Sequence, residues 1–308
     1  MIALLCPGQG SQTPGMLEPW LELPGARDFL GDLGEAARID LIGLGTTADA
    51  ETIKDTAVAQ PLIVGSSLLA LHLLVGEVGP VAEWAGLVAG HSVGEFSAVA
   101  AAGILPPAVA VELVGVRGRA MAAAAGAADT GMAAVVGPDA DAVTAAIEAA
   151  GLVAANVNGG GQVVAAGARA DLEALAANPP ERTRVIPLAV AGAFHTSYMA
   201  PAVEPVAAAA AALAPTDPTV PVLTNSSGEP VASGAQALEL LVGQLTSPVR
   251  WDLCQQAMAA AGVGTTIELA PGGVLSGLAR RTLPGVSTIA LKKPADLDTA
   301  IAAVKESR

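Results

Sequence analysis

The stretch LVAGHSVGEFSAVAAAG, residues 87–103, constrains the fold more than any other part of the chain. Its first apolar run reads as a short buried strand, GHSVG as a tight turn, and the apolar run that follows as a helix. The same rhythm recurs on either side. IALLC is a strand closed by the loop PGQGSQTPG, helical patterns occupy residues 49–76, and PPAVAVELVGVRGRAMAAAA is a helix opened by proline. Past residue 195 come an Ala-rich helix, the strand PVLTN, a helix near ALELLVGQLTSPVRW, and a closing strand and helix. Strands alternating with helices predict an α/β chain with a mostly parallel sheet covered by helices.

The rhythm changes near Gly131. MAAVVG reads as a strand, DADAVTAAIEAAG as a helix, LVAANVN and QVVAAG as a hairpin around Gly159–Gly161, ARADLEALAANP as a helix and RVIPLAV as a strand. The order βαββαβ is the ferredoxin-like split motif. Residues 129–192 are therefore expected to form a small ferredoxin-like domain inserted into a large catalytic domain of residues 1–128 and 193–308. Gly90-His91-Ser92-Val93-Gly94 fits GxSxG, with the strand before it and the helix after it that a nucleophile elbow requires, so the large domain is expected to be α/β-hydrolase-like.

With 308 residues the chain can bury a large core, and with 2% aromatics against 52% hydrophobic residues that core must be mainly Ala, Val and Leu. Cys6 and Cys254 show neither a CxxC spacing nor a disulfide framework, which fits packing residues in a reducing compartment. MIALLCPGQG lacks a basic n-region and has too short an apolar run for a signal peptide. PLIVGSSLLALHLLVG is shorter than the roughly 20 residues of a membrane span and contains His72. A cytoplasmic protein without a membrane segment is expected. The net charge of −14 argues against nucleic acid as a partner. Cations nevertheless gather at Arg280, Arg281, Lys292 and Lys293, and Arg117 and Arg119 interrupt an apolar helix. Ordinary surface solvation and a docking patch for an acidic partner both account for them.

A serine hydroxyl needs a base within hydrogen-bond reach. Of the three histidines, His72 lies in an apolar run without a motif, and the side chain of His91 diverges from Ser92 at the turn. Elimination leaves His195, at the junction of the two predicted domains. No acid announces itself as its partner: Glu204 lies near a proline and Asp217 in a turn-like PTDPT. The loop PGQGSQ lacks the Lys and Ser/Thr of a phosphate loop. An oxyanion hole from the amides of Gln9 and Val93 fits the elbow logic instead. Arg117 shares a helical face with Leu113, Val114 and Met121 and should point inward. It is satisfied either by a protein carboxylate or by a carboxylate on the substrate, which Arg grips bidentately. The second alternative, beside a serine nucleophile, suggests transfer of an acyl group with a free carboxylate.

In order, PGQGSQ, GHSVGE, VRGRAM, NVNGGGQVVAAG, GAFH, QLTSPVRW and ELAPGGVLSGL resemble the malonyl-CoA:acyl carrier protein transacylases of fatty acid synthesis, and are similar to the acyltransferase domains of polyketide synthases. The resemblance spans essentially the whole chain. It implies a ping-pong cycle in which Ser92 takes malonyl from coenzyme A and passes it to the phosphopantetheine thiol of acyl carrier protein, with His195 as base and acid. It further implies that the backbone carbonyl of Gln244 orients His195, that Gln9 and Val93 form the oxyanion hole, and that Arg117 grips the malonyl carboxylate. Asn156, Asn158 and Gln162 fall in the hairpin that lines the site, where GGG in place of a small-residue–proline step predicts a looser tip. Phe194 before the histidine and Val93 after the serine match the malonyl-selective pattern, although Gly192 replaces the usual first residue of HAFH. No bound cofactor or metal is implied, coenzyme A thioester being a substrate. The acidic carrier would dock transiently through Arg280, Arg281, Lys292 or Lys293, with Arg119 as a further contributor.

Two other readings share some of these features. A generic α/β serine esterase or thioesterase has the elbow but places an acid between serine and histidine and has no need of Arg117. A decayed, non-catalytic carrier-docking module would not retain Ser92, His195 and Arg117 together.

Overall fold

The computed structural model describes residues 1–308 throughout. In chain order the elements are β1 (Ile2–Cys6), α1 (Ala26–Ala37), α2 (Leu41–Thr46), α3 (Thr56–Val78), β2 (Ala85–Gly90), α4 (Gly94–Ala101) and α5 (Pro107–Ala125). Then come β3 (Thr130–Val136), α6 (Ala140–Ala149), β4 (Val153–Gly159), β5 (Gln162–Ala168), α7 (Arg169–Ala177) and β6 (Arg184–Pro187). The chain closes with α8 (Val203–Ala211), β7 (Val222–Leu223), α9 (Gly234–Gly243), β8 (Val249–Arg250), α10 (Trp251–Ala260), β9 (Thr265–Glu268), α11 (Val274–Thr282), β10 (Ser287–Ala290) and α12 (Asp296–Glu306).

The first sheet runs β10-β9-β1-β2-β7 with every pairing parallel. All five residues of β1 are buried, the pattern of a central strand covered by helices on both faces rather than of one half exposed to water. The fold is thus α/β with a mostly parallel sheet. The longest helix, α3, packs between α1, α4, α5 and α12. At 23 residues it is long and apolar enough to cross a membrane, so the length argument from the sequence fails: the helix runs past the apolar stretch at both ends. It is burial that marks it as a core helix, since 78% of its most apolar window lies inside the protein.

The second sheet runs β6-β3-β5-β4-β8. Its first four strands are antiparallel and follow the order strand, helix, two strands, helix, strand along residues 130–187. Alternation assigns its two faces. Ala133, Val135, Val163 and Ala165 pack with Val143, Ile147, Leu172 and Leu175 of the covering helices, while Met132, Val164 and Ala166 turn toward Met121, Phe194 and Leu245. The fifth strand was not foreseen: β8 pairs parallel with β4 at Asn156 and Val157. Residues beyond 192 therefore complete this sheet, covering an edge of β4 that would otherwise present unpaired backbone beside the cleft.

Candidate active site

The cleft between the two sheets holds about 310 Å³ and is lined by residues of both, with Gln9, Ser92, Arg117, Asn156, Asn158, Gln162, Phe194 and His195 among them. Ser92 sits where β2 turns into α4 with φ of 51°, a left-handed conformation that costs an L-residue strain. Both glycines of the turn are required by contact. A Cβ on Gly90 would run into the backbone of Gly94 and Glu95, and one on Gly94 into the carbonyls of Cys6 and Pro7. Asn225, just past β7, fastens the turn by accepting from the Ser92 N–H at 2.7 Å and donating to the Gly90 carbonyl at 2.7 Å.

His195 reaches the serine from the crossover between β6 and α8, also with a positive φ, 60°. Its Nε2 lies 2.7 Å from Ser92 Oγ, and its Nδ1 donates to the Gln244 carbonyl at 2.8 Å. A carbonyl can only accept, so Nδ1 carries the proton and the Nε2 lone pair faces the serine. Burial, with Arg117 adding to it, pushes the imidazole down to about 3 against the pull of the Gln244 carbonyl, so the ring is a neutral acceptor at physiological pH. Glu204 is exposed on α8 and Asp217 accepts from the Gly234 N–H, so neither serves the histidine.

Arg117 is 1% exposed and has no ion pair. Its Nη1 donates to Gln60 Oε1 at 2.8 Å, its Nη2 to Gln244 Oε1 at 2.7 Å and, more distantly, to Ser92 Oγ at 3.5 Å. Nε has no partner. The ring of Phe96 lies 5.6 Å from the guanidinium carbon. Burial lowers this group to about 10, with Glu95 opposing, so the cation persists. Of the two alternatives left open by the sequence, a directly paired protein carboxylate is absent.

Glu95, in the first turn of α4, is buried; Oε1 accepts from the Asn225 N–H at 2.7 Å and Oε2 from Gln244 Nε2. Burial pushes its carboxyl up to about 8, opposed by the Asn225 N–H, Arg117 and Gln244. Gln60, Glu95, Asn225 and the side chain of Gln244 were all missed by sequence reasoning. Glu95 alone carried a signal, a carboxylate set among Phe, Ala and Val on a helix that must be buried.

The backbone N–H groups of Gln9 and Val93 donate to no other group of the chain. The Val93 side chain, 1% exposed, packs in the large core instead of lining the cleft, so its place in the malonyl-selective pattern does not rest on contact with the acyl group. Met121, Met132, Val164, Val190 and Phe194 supply the apolar wall. His91 accepts no role at the serine: its Nε2 pairs with Asn158 Oδ1 at 2.8 Å, while Asn158 Nδ2 donates to Gln162 Oε1 at 3.2 Å. His72 is exposed and stacks on Phe29, with ring centroids 4.4 Å apart. Cys6 and Cys254 are free and buried, and burial raises both thiols.

The hairpin tip is held, contrary to the expected looseness. Gly159, Gly160 and Gly161 all have positive φ, and the tip packs on Arg281 and Thr282 of α11. Gln255 ties the same parts together by donating to the Asn158 carbonyl at 2.8 Å and accepting from the Thr282 hydroxyl. Arg281 lines the mouth of the cleft with Val274 and Leu278. Arg280 donates to Thr288 of β10, and Lys292 lies against Gly273 at the start of α11. Arg119 stands apart from this group, donating to the Ala37 carbonyl at the end of α1.

A strained serine elbow, a neutral histidine aimed at it and a buried cation beside it define a serine acyl-transfer site on an α/β fold. The chain belongs to the acyl transferase domain family, whose model matches residues 3–295. It is 53% identical to the malonyl CoA-acyl carrier protein transacylase of Mycobacterium tuberculosis over 298 residues, 97% of this chain and 98% of that one. It is 37% identical to the Bacillus subtilis protein of the same name, over 99% and 98% of the two chains. Among solved structures, MCAT from Mycobacterium tuberculosis matches with a TM-score of 0.94 at 52% identity over 98% and 99% of the two chains. A malonyl-transacylase in complex with a type II PKS acyl-carrier protein matches with a TM-score of 0.90 at 30% identity, over 98% and 99%.

Proposed function

We propose that this chain is an acyl carrier protein S-malonyltransferase that moves malonyl from coenzyme A to the phosphopantetheine thiol of acyl carrier protein, supplying extender units for fatty acid synthesis. The observation that carries the substrate class is Arg117, a buried cation with no carboxylate in contact, at the floor of a cleft that opens on Ser92. A buried cation with no carboxylate in contact is costly, and a malonyl carboxylate would satisfy it.

In the first half-reaction His195 Nε2 takes the Ser92 proton as Oγ attacks the thioester carbonyl. The amides of Gln9 and Val93 would hold the oxyanion, each donor contributing about 10²- to 10³-fold. The C–S bond then breaks, His195 returns the proton to the coenzyme A sulfur, and malonyl remains as a serine ester. The carrier thiol reverses these steps, His195 taking its proton and giving it to Ser92. The Gln244 carbonyl keeps the imidazole tautomer that both halves need. Asn156, Asn158 and Gln162 would line the path of the substrate, with Phe194 packing on the acyl group.

Residues 129–192 act in this reading as a ferredoxin-like small domain set into an α/β-hydrolase-like large domain of residues 1–128 and 193–308. The placement of Arg280, Arg281, Lys292 and Lys293 around α11 supports carrier docking at the cleft mouth. The two buried free thiols and the core packing of α3 favour a water-soluble, cytoplasmic setting.

Incubation with malonyl-CoA followed by intact-mass measurement tests the reading. One malonyl adduct that vanishes in Ser92→Ala is expected. Arg117→Ala should lower malonyl loading by about 10²-fold while acetyl loading is kept or rises. Unchanged malonyl loading in Arg117→Ala would overturn the assignment of its role, and the absence of any adduct would point to a binder or a hydrolase.

A further inference from the structure

Two segments distant in sequence, those of Asn225 and Gln244, meet at Glu95. Asn225, whose N–H donates to Glu95, holds the strained Ser92 turn through two further bonds. Gln244, whose amide donates to Glu95, also donates to the Ser92 carbonyl at 3.2 Å, accepts from Arg117 with its side chain and from His195 with its backbone. Every polar atom of the Gln244 side chain is thus assigned by its neighbours. Arg117 can only donate, so Oε1 must face it; Nε2 must then face Glu95, and Glu95 must accept. The backbone N–H of Asn225 is likewise a donor, and no acceptor is placed to take a proton from either carboxyl oxygen, so against the upward push of burial the geometry around Glu95 favours the ionised form.

We propose that Glu95 is a positioning residue, resting on the malonyl-transfer reading above: its acceptor-only carboxylate locks the Gln244 amide so that Arg117 is compensated through a one-residue relay, never by direct contact. The distance matters for selectivity. A carboxylate touching Arg117 would occupy the place of the substrate carboxylate, whereas one displaced by an amide stabilises the buried cation and leaves the guanidinium able to receive a ligand. The same lock sets the Ser92 elbow through Asn225 and the Gln244 loop that holds His195.

The relay can be tested by moving its charge. Glu95→Gln places an amide donor among two donors, so either Asn225 or Gln244 loses its acceptor, and a flipped Gln244 would turn its N–H groups on Arg117. The double variant Glu95→Gln/Gln244→Glu restores the donor–acceptor pairs from Asn225 through residues 95 and 244 to Arg117, giving up only the long bond to the Ser92 carbonyl, while bringing the carboxylate into contact with Arg117. Loading of Ser92 from malonyl-CoA and from acetyl-CoA is measured by intact mass, with KM and kcat for each and the thermal midpoint of each variant. For Glu95→Gln, a malonyl-to-acetyl ratio about 10-fold or more below wild type is expected. In the double variant the midpoint and acetyl loading should recover, while KM for malonyl-CoA stays raised by about 10-fold. A wild-type ratio in Glu95→Gln, or a double variant that regains malonyl as fully as acetyl, would overturn the role of Glu95 alone. Should Glu95→Gln fail to fold, the double variant decides. Wild-type protein that takes up acetyl but no malonyl would instead overturn the malonyl reading, and this proposal with it.

Discussion

His195 is held as a neutral base by burial and by the Arg117 cation, and the second of these causes depends on what occupies the cleft. A substrate carboxylate on Arg117 would cancel part of that field and strengthen the base only when the right acyl group is bound. The sign of the effect can be followed in pH. The reactive form is the neutral imidazole, so activity falls as pH drops through the histidine's own value; removing a nearby cation raises that value. Arg117→Gln should therefore shift the acid limb of kcat/KM for acetyl-CoA toward higher pH from a wild-type position near 3, read from about pH 3 upward. Coincident limbs would show that Arg117 does not tune the histidine. At this scale the sequence disclosed what motifs and counting can reach. GxSxG pointed to Ser92, elimination among three histidines left His195, and the helical wheel turned Arg117 inward. Gln60, Asn225 and the Gln244 amide stayed hidden, because an uncharged amide in an apolar segment has no pattern of its own. Their roles exist only where separate segments meet.

Among the elements, α11 shows how a mouth is held in place. Glu268, at the end of β9 and fully buried, accepts from the N–H groups of Gly273, Leu275 and Ser276 at 2.8, 2.9 and 2.8 Å, serving as a remote N-cap for the helix that carries Leu278 and Arg281 to the cleft. Truncation would strand three donors, two of them in the core and the third half-buried. Glu268→Ala should lower unfolding stability by about 3 kcal/mol, seen as a lower denaturant midpoint, and raise KM for malonyl-CoA as α11 loosens. An unchanged midpoint would mean that water or neighbouring groups replace the carboxylate. Strands and helices with clear period were legible, including the order of elements from β3 to β6. Helices α1 and α2 were not, because GARDFLGDLGEAARIDLIGLG spreads glycines through both and weakens the local signal. Packing demands two of them: a Cβ on Gly34 would press on the Ile39 carbonyl, and one on Gly45 on Leu17. Strand β8 was hidden for a related reason, being two residues long and formed only because β4 offers it an edge.

For the molecule as a whole, the cleft lies at a seam that the linear domain boundaries do not describe, since the second sheet borrows β8 from the segment that follows His195. The charge distribution is similarly uneven. A chain of net charge −14 repels an acidic carrier at long range, so productive approach requires a local reversal of sign. Arg280, Lys292 and Lys293 are exposed beside the α11 mouth without lining the cleft. Reversing all three to Glu should leave malonyl loading of Ser92 from coenzyme A within about twofold of wild type, since none of them reaches the reacting atoms. Transfer to the carrier should suffer instead, its KM rising about 10-fold at low ionic strength through slower encounter. Screening supplies the control. At about 0.5 M salt the field of exposed charges extends only a few ångströms, so the variant and wild-type KM values should converge. Equal KM values at low salt would move the docking surface elsewhere, and a deficit that persists in high salt would make the patch a contact surface instead of a steering field.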